Sequence, residues 1–439
     1  MNIVKPRVLS GFKDRLPAEA IKKREILEKL IVVFESFGFV PIETPHLEHA
    51  DILVKRGSEE IQKELYRFRD HGDRDVALRF DLTVPLARFA AQHRGELKFP
   101  FKRYALGNVF RGERAQAGRY REFTQCDFDF LGSESVCSDA EVAAIISKGF
   151  EALGIEKFKI SINNRKIMNG FAKSLGLEGR IEDILRVVDK LDKIGRDRVK
   201  DELKDIGIDQ SVAVKVLDFI SLKESLCGFF DALDELKRDD ALKEGIDELL
   251  EFYELLEAFG VDRGRFEIDF SIARGLAYYT GIVYESRLLE YPEIGSVASG
   301  GRYDNLASNF SKEKISGVGA SFGVDRLIAA LEKLGVVSEK STTADILCVN
   351  FGKKELTYIL KAASILRRSG IKTEVYPDSA KLKKQFDFAD KKGFEFVLIA
   401  GESEIEKESF LLKNMKSGEQ KEMKIDGIVK TLKEQNENS

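Results

Sequence analysis

Residues 110–125 read FRGERAQAGRYREFTQ, a stretch whose side chains suit an anionic ligand. Its four arginines are Arg111, Arg114, Arg119 and Arg121. A guanidinium presents a planar fork of donors that matches phosphate or carboxylate oxygens. Glu113, between two of the arginines, could accept a hydrogen bond from an exocyclic amine or pair with an arginine. The stretch indicates a polyphosphate site, and the alternative is a solvated hairpin with surface ion pairs.

Residues 121–132, REFTQCDFDFLG, alternate like a strand, with Phe123, Gln125, Asp127 and Asp129 on one face. Two carboxylates and an amide make a poor core face, so this face should meet solvent or a ligand. The preceding segment 101–113 also alternates. The two strands and their glycine-bearing loop predict an antiparallel hairpin.

A second candidate motif is GVGASFGVDR at 317–326. Its glycines, Gly317, Gly319 and Gly323, allow close approach to the backbone of a strand. Arg326 follows at the start of a helix, where the helix dipole favours an anion. The alternative is tight strand–helix packing with Arg326 on the surface.

Two further segments carry residues that could bind a polar substrate. In LRFDLTVP, Asp81 and Thr83 form either a local turn or a site for an ammonium group. In ARGLAYYTG, a glycine-bracketed loop presents Arg274, Tyr278 and Tyr279. Paired tyrosines usually pack amphipathically, but a buried hydroxyl could also bind a polar side chain.

Composition restricts the class of protein. A chain of 439 residues predicts two or three domains, and its net charge of −4 argues against a polybasic nucleic-acid coat while permitting a local basic site. The histidines and cysteines lack metal-ligand spacing, so we predict no protein-bound metal. Without an apolar leader, a membrane-length apolar run or a CxxC pair, the sequence predicts a cytoplasmic protein with reduced thiols.

Hydrophobic periodicity supplies the elements that must position these residues. Around the hairpin it predicts a helix over 18–37 ended by Gly38, a strand, turn and helix over 75–92, and a helix over 138–154. Helical patterns dominate residues 169–260. After a polar linker at 335–343, strands alternate with helices, which predicts a small, largely parallel α/β domain.

The order of these motifs resembles the signature motifs of class II aminoacyl-tRNA synthetases. A long helix and a strand with Pro45 match motif 1, FRGE with its loop and second strand matches motif 2, and residues 317–326 match motif 3. LRFDLTVPLAR and RGLAYYTG resemble the histidyl-tRNA synthetase family in particular. The resemblance spans essentially the whole chain.

The resemblance implies an α+β catalytic core, with an antiparallel sheet flanked by helices, and a homodimer formed through motif 1. The core would comprise residues 1–168 and 261–334, and residues 169–260 would form a helical insertion that clamps the tRNA acceptor arm. Residues 335–343 would be a linker, and residues 344–439 an α/β anticodon-binding domain.

The resemblance also implies a reaction in which ATP activates L-histidine to histidyl-adenylate, before the histidyl group passes to the 3′ end of tRNA(His). By this resemblance Asp81, Thr83 and Gln125 would bind the substrate ammonium, with Leu82 beside them in the histidine site. Asp129 and Tyr279 would recognise the imidazole, with Tyr278 next to them.

The ATP side of the site follows from the same resemblance. Arg111 would meet both the histidine carboxylate and the α-phosphate, and Arg274 would lie across that phosphate, where some relatives use a metal. Glu113 would accept from the adenine amine, and Arg121 and Arg326 would hold the outer phosphates. ATP would arrive with its own Mg²⁺.

One position departs from the family pattern, because Ala277 stands where many members carry an acidic residue. We expect the activity to survive, since Arg274 and the two tyrosines are retained. Histidyl-synthetase-like chains also serve as histidine-binding regulatory subunits of a histidine-biosynthetic ATP phosphoribosyltransferase. Such chains usually lack the C-terminal domain and the ATP arginines, both of which are retained here. A non-catalytic RNA-binding module would need further domains.

Overall fold

The structure is a computed structural model that describes residues 3–54, 59–114, 120–188, 190–221, 223–225, 240–272, 279–304, 310–311, 313–335 and 340–437. The chain divides into two compact units. One comprises Met1–Asp14 and Glu25–Val336, and the other comprises Arg15–Arg24 and Val337–Ser439. The predicted three-part division, with a separate helical insertion over 169–260, stays a prediction.

A mixed sheet of nine strands forms the centre of the first unit, with the spatial order β1-β5-β6-β12-β11-β10-β7-β9-β8. Its strands are β1 (Val40–Pro41), β5 (Phe101–Phe110), β6 (Glu122–Leu131), β7 (Phe158–Asn164), β8 (Lys223–Ser225), β9 (Phe266–Asp269), β10 (Ile282–Leu288), β11 (Ser296–Arg302) and β12 (Gly317–Gly323). The pairs β1–β5 and β7–β9 are parallel, and all the other pairs are antiparallel. The predicted hairpin is β5–β6, the second and third strands from the β1 edge, and β6 pairs with β12 on its other side.

Smaller elements surround this sheet. A second sheet has the order β2-β4-β3, with β2 (Leu47–His49), β3 (Arg67–Arg69) and β4 (Asp75–Leu78). The helices are α1 (Pro17–Ser36), α2 (Ala50–Val54), α3 (Glu59–Glu64), α4 (Thr83–Gln92), α5 (Val136–Ala152), α6 (Arg165–Ser174), α7 (Ile181–Val188), α8 (Leu191–Ile194), α9 (Arg196–Asp205), α10 (Gln210–Ile220), α11 (Asp240–Ala258) and α12 (Val324–Lys333). Short 3₁₀ turns cover Arg263–Arg265 and Pro292–Ile294.

One face of the large sheet is sealed by aromatic side chains. Phe34 of α1 stacks on Phe128 of β6 with 4.9 Å between ring centroids, and Phe322 of β12 lies 5.9 Å from Phe128. Phe150 of α5 meets Phe322 edge-on, and all four rings are fully buried. Each buried ring contributes about 1.5–3 kcal/mol. Because strand side chains alternate, this core directs Gln125, Asp127 and Asp129 to the opposite face.

The helix predicted over 18–37 is confirmed as α1, one residue earlier at each end. Its buried residues, Ile26, Leu30, Val33 and Phe34, follow helical spacing, and Gly38 ends the turn with φ +78°. The strand, turn and helix predicted over 75–92 are confirmed as β4 and α4. Residues 169–260, which were predicted to be helical, also contain the strand β8, which pairs with β9 in the large sheet.

The second unit contains a five-stranded sheet in the order β14-β13-β15-β16-β17. Its elements are β13 (Ile346–Cys348), α13 (Lys353–Arg368), β14 (Thr373–Val375), α14 (Leu382–Lys392), β15 (Phe396–Ile399), α15 (Glu402–Glu406), β16 (Phe410–Asn414), β17 (Gln420–Met423) and α16 (Ile425–Glu437). β13 is parallel to β14 and β15, as predicted, but β16 and β17 are antiparallel. A turn through Gly418, with φ +75°, joins β16 to β17 and is too short for a parallel crossover.

Candidate active site

The inward face of β6 forms the floor of the candidate site. In the antiparallel register, Asp129 lies between Arg103 of β5 and Gly319 of β12. Asp127 lies between Ala105 and Ser321 in the same way. Gln125 follows at the next inward position. The sheet therefore arranges an amide and two carboxyls in a row, each with a small or complementary neighbour.

Asp129 is held by two side chains that the sequence alone did not single out. Nη2 of Arg103 lies 2.5 Å from Oδ2 of Asp129, and the hydroxyl of Tyr303 donates to Oδ1. Arg103 is fully buried and Asp129 is 4% exposed. Burial raises the pKa of the Asp129 carboxyl, while the Arg103 charge and the Tyr303 hydrogen bond oppose that rise. The carboxylate is thus fixed in orientation before any ligand arrives.

Asp81 and Tyr279 adjoin this floor. Oδ1 of Asp81 accepts a hydrogen bond of 2.9 Å from the backbone N–H of Val84, which fixes the carboxyl at the start of α4 beside Thr83. Burial raises the pKa of Asp81, and the Val84 bond and the charge of Arg111 act against it. Leu82 is buried between them. The sequence-predicted residues Asp81, Leu82 and Thr83 therefore share one turn.

Three carboxyl groups lie close enough to the Tyr279 hydroxyl to affect its pKa. Burial raises the pKa of the Tyr279 hydroxyl, and the nearby charges of Asp129, Asp127 and Asp81 raise it further. Asp127 has a pKa raised to about 7, first by burial, with Asp129 and Asp81 adding to the rise and Arg103 and Ser321 opposing it. The buried Asp127 and Asp129 thus lie close to the half-buried Asp81 and Tyr279. We refer to the three carboxyls as the carboxyl cluster (Asp81, Asp127, Asp129).

A cavity of about 410 Å³ opens above this floor. Five of the sequence-predicted site residues line it: Arg111, Glu113, Gln125, Tyr279 and Arg326. The other lining residues are Tyr120, Phe123, Thr124, Ile272, Val283, Tyr284, Glu285, Ser296, Val297, Ala298, Ser299, Gly300, Ser321, Gly323 and Asp325. Arg111 and Arg326 at its wall suit anionic groups of a ligand. Asp81, Asp127 and Asp129 do not line the cavity themselves, and Gln125 and Tyr279 connect it to them.

Backbone contacts orient the two cavity arginines. Nε of Arg111 donates to the carbonyl of Phe80 at 3.1 Å, and its guanidinium lies 5.1 Å from the ring centre of Phe123. Nη1 of Arg326 donates to the carbonyl of Ser296 at 2.6 Å. Both guanidiniums are therefore oriented while part of each donor fork still faces the cavity.

Arg121 lies differently from the other predicted ATP ligands. It is not among the cavity-lining residues, and its guanidinium donates to the carbonyls of Glu113 and Ser10. The backbone N–H of Arg121 donates to Gly11 at 2.7 Å. In this arrangement Arg121 ties the N-terminal segment to the hairpin loop. Its predicted contact with the outer phosphates stays a prediction.

Some predicted residues lie outside the described part of the chain, namely Arg274, Ala277, Tyr278 and Arg119. Arg114 is described and exposed. Within the described ranges, no group of three His, Cys, Asp or Glu side chains converges as a metal site. None of the described helices has the length and apolarity that a bilayer span requires.

Gly319 provides the space in which Asp129 lies. A Cβ atom on Gly319 would come within 2.2 Å of Oδ1 of Asp129 and 2.7 Å of the carbonyl of Phe128. We expect Gly319→Ala to displace the carboxylate at a cost of about 1–3 kcal/mol. The KM for the ligand at Asp129, which by the sequence resemblance would be histidine, should rise by about tenfold or more, because each 1.4 kcal/mol corresponds to tenfold in affinity.

Steady-state ATP–pyrophosphate exchange against histidine concentration measures this effect. Gly95→Ala in the same unit is the control, because a Cβ there would meet no heavy atom within 4 Å. Equal effects of the two substitutions would argue against the assigned role of Gly319.

This arrangement is that of a class II aminoacyl-tRNA synthetase: a largely antiparallel sheet with an arginine-bearing hairpin and a glycine-containing strand leading into a helix. The family model for histidyl-tRNA synthetase matches residues 11–327, and the model for the anticodon-binding domain matches residues 343–435. The chain belongs to the histidyl-tRNA synthetase family.

Individual relatives agree with this assignment. The chain is 56% identical to the histidine–tRNA ligase of Wolinella succinogenes, over 95% of this chain and 96% of that protein. It is 54% identical to the histidine–tRNA ligase of Helicobacter hepaticus, over 96% of each chain. The crystal structure of histidyl-tRNA synthetase from Nostoc sp. PCC 7120 superposes with a TM-score of 0.90 at 37% identity, covering 99% of this chain and all of that one.

Proposed function

We propose that this protein is a histidine–tRNA ligase, which activates L-histidine with ATP and transfers it to tRNA(His). The observation that carries the proposal is a single cavity that joins two kinds of groups. Arg111, Glu113 and Arg326 at its wall suit ATP. Gln125 and Tyr279 also line it and adjoin the carboxyl cluster, which suits an amino acid with a polar ring. The identity to curated histidine–tRNA ligases, at more than half of the aligned positions, supports the same activity.

On the amino-acid side, Asp81, Thr83 and Gln125 bind the substrate ammonium, and Leu82 closes the site beside them. Asp129 accepts from one ring nitrogen, and Tyr279 donates to the other, with Tyr278 adjacent. The fixed orientation of Asp129 supports this role, since a preset acceptor rejects rings that lack a matching N–H. An analogue without that group would leave a buried carboxylate unpaired.

On the nucleotide side, Arg111 bridges the histidine carboxylate and the α-phosphate, Glu113 accepts from the adenine amine, and Arg121 and Arg326 hold the outer phosphates. Mg²⁺ enters as part of the ATP substrate. The partial orientation of Arg111 and Arg326 by carbonyls supports binding with little loss of side-chain freedom.

The first reaction step is displacement at phosphorus. A carboxylate oxygen of histidine forms a bond to the α-phosphorus, the bond to the β-phosphate bridging oxygen breaks, and pyrophosphate leaves with that electron pair. No protein base is required, because the nucleophile is already an anion. Arg111 stabilises the charge that develops on the α-phosphate oxygens. In the second step the oxygen of a hydroxyl at the tRNA 3′ end bonds to the histidyl carbonyl carbon, and the bond from that carbon to the phosphate oxygen breaks. AMP leaves with that electron pair, and the hydroxyl proton passes to water.

Arg274 is the second arginine at the α-phosphate in this proposal. We expect Arg274→Ala to lower the rate of adenylate formation by about a hundredfold to a thousandfold, because a donor that acts on transition-state charge is lost. Histidine binding should weaken much less. ATP–pyrophosphate exchange and histidine binding by calorimetry measure the two effects separately. Near-normal exchange in the variant would contradict the role.

The assembly belongs to the same proposal. The protein works as a cytoplasmic homodimer, with residues 169–260 on the acceptor arm of the tRNA and residues 344–439 on its anticodon. Exposed apolar side chains on the motif 1 elements, Val32 of α1, Val40 of β1 and Leu47 of β2, support a dimer contact there. Sedimentation equilibrium would test the dimer.

Charging of tRNA(His) tests the activity itself. Purified protein with ATP, labelled histidine and tRNA(His) should give acid-precipitable histidyl-tRNA. A tRNA of another specificity in the same assay should stay uncharged. Tight histidine binding without charging would instead favour the regulatory-subunit alternative.

A further inference from the structure

We propose that Asp127 is a proton-exchanging residue of the amino-acid site: it holds a proton when the site is empty and releases it to solvent when the substrate ammonium binds. This inference rests on the proposed function. It adds a residue to which the family resemblance gave no role, and it assigns that residue a specific chemical task.

The position of Asp127 supports the proposal. It is 3% exposed and lies on β6 between Gln125 and Asp129, the inward positions on either side of it. No described residue donates a hydrogen bond to its Oδ1, and the same holds for the neighbouring Oε1 of Gln125. Two buried acceptors without donors are costly unless a ligand supplies N–H groups. The substrate ammonium proposed to bind Gln125 would supply them.

The balance of charge around Asp127 explains why it would hold a proton. Arg103 of β5 is the nearest cation, but it lies 2.5 Å from Asp129. Arg111 is turned towards the carbonyl of Phe80 and the charge of Asp81. Arg79 also attracts Asp127, but its guanidinium donates to the carbonyls of Asn108 and Thr44. Asp127 thus shares each of these cations with another group, and a proton can neutralise its own charge.

The remaining neighbours are neutral or repel a negative charge. The Ser321 hydroxyl of β12 hydrogen-bonds Asp127 and opposes the rise in its pKa, the Tyr303 hydroxyl donates to Asp129, and the raised pKa of Tyr279 keeps that phenol protonated. The raised pKa of Asp127, about 7, agrees with this arrangement, with burial as the first cause and Asp129 as the main like charge. The carboxyl is therefore poised to exchange its proton near neutral pH.

The step balances without any further reactant. In the empty site Asp127 carries a neutral carboxyl, and the arriving ammonium keeps all three of its protons. The O–H bond of Asp127 breaks, its proton goes to water, and the resulting carboxylate oxygen accepts a hydrogen bond from the ammonium. Low pH should thus compete with substrate binding.

Calorimetry of histidine binding in phosphate and in Tris buffer, whose ionisation enthalpies differ, counts the protons released. Asp127→Asn is the test variant, because the amide is isosteric and cannot ionise. At about pH 7 the wild type should release about half a proton more than the variant, since a group with a pKa near 7 is half protonated there. Titration of the histidine itself cancels in this difference.

The affinity gives a second readout. Between about pH 8 and pH 6, histidine binding to the wild type should weaken about tenfold more than binding to Asp127→Asn, because protonated Asp127 must lose its proton first. Asp73→Asn, at an exposed carboxyl of the same unit, is the control and should retain the wild-type proton release. Asp127→Ser supplies a smaller non-ionising side chain if the amide disturbs folding.

Equal proton release by the wild type and both Asp127 variants overturns the inference. If that result accompanies normal ATP–pyrophosphate exchange, the role of Asp127 fails while the proposed ligase activity stands. A wild type that shows the proton difference but no exchange supports the role of Asp127 and contradicts the ligase activity.

Discussion

Replacing Arg111 by alanine is expected to lower histidine-dependent ATP–pyrophosphate exchange by about a hundredfold to a thousandfold, the usual effect of removing one preorganised donor to transition-state charge. Arg111 lies at the end of β5 in the cavity wall, where a hydrogen bond to Phe80 and the ring of Phe123 fix its direction. In our mechanism it is the described cation closest to the reacting phosphorus. Its loss should therefore fall mainly on kcat.

A smaller effect on histidine binding should accompany the loss of rate. The charge of Arg111 opposes the burial that raises the pKa of Asp81. Without Arg111 this pKa rises further, so Asp81 takes up a proton at a higher pH than in the wild type, and the ammonium then loses an ionised partner. As the pH falls, the KM for histidine should therefore begin to increase at a higher pH than in the wild type.

Two further variants make this experiment specific. Arg111→Lys keeps the charge but loses the planar fork, and it should recover only part of the rate. Arg69→Ala removes an exposed arginine of the same unit, whose guanidinium donates to the carbonyl of Asp73, and should leave exchange unchanged. Exchange by Arg111→Ala within about threefold of wild type would refute the assigned role.

Replacing Arg103 by methionine is expected to destabilise the catalytic unit by about 3–5 kcal/mol, the usual cost of removing one partner of a buried ion pair. Arg103 is fully buried and lies 2.5 Å from Asp129, and its charge also lowers the pKa of Asp127. Methionine fills a similar volume without charge. The loss of stability therefore measures the cost of leaving the Asp129 and Asp127 carboxyls without this counter-charge.

The destabilisation should depend on pH. Without Arg103 the folded-state pKa values of Asp129 and Asp127 rise further above those in the unfolded chain. A carboxyl with a raised folded-state pKa costs stability at high pH, and the cost disappears as the pH falls and the folded carboxyl takes up its proton. Urea unfolding should show a larger deficit at about pH 8 than at about pH 5.5.

The double variant Arg103→Met with Asp129→Asn is the internal control for this interpretation. It removes both charges of the pair and should recover much of the stability that the single variant loses. Histidine binding should stay weak, because the acceptor for the ring is also gone. A deficit in Arg103→Met that is independent of pH would point to packing rather than charge.

Local patterns predicted much of this fold. Alternation identified the β5–β6 hairpin, and helical spacing with Gly38 identified α1 almost to the residue. The residue types in short motifs also identified Arg111, Glu113, Gln125 and Arg326 as candidate site residues, and all four line one cavity. These signals succeed because each depends on residues close together in the chain.

The residues that the sequence missed depend on distant pairings. Arg103 reaches Asp129 through the register between β5 and β6, and Tyr303 reaches it from the end of β11, far along the chain. No local sequence pattern specifies either contact. The contact of Arg121 with Ser10, 111 positions away, likewise lies beyond any local pattern, while its predicted contact with the outer phosphates stays a prediction. The sequence placed Asp127 on the polar face of the strand. Its proposed proton exchange, however, depends on the charged groups that surround it in the folded protein.

ATP–pyrophosphate exchange with each of the twenty amino acids, measured on the wild-type protein without tRNA, determines which amino acid this site activates. Our account predicts exchange with histidine and only background with the other nineteen. That result would establish that one cavity binds ATP and recognises the imidazole ring. Histidine binding with no exchange, or exchange with a different amino acid, would contradict the account.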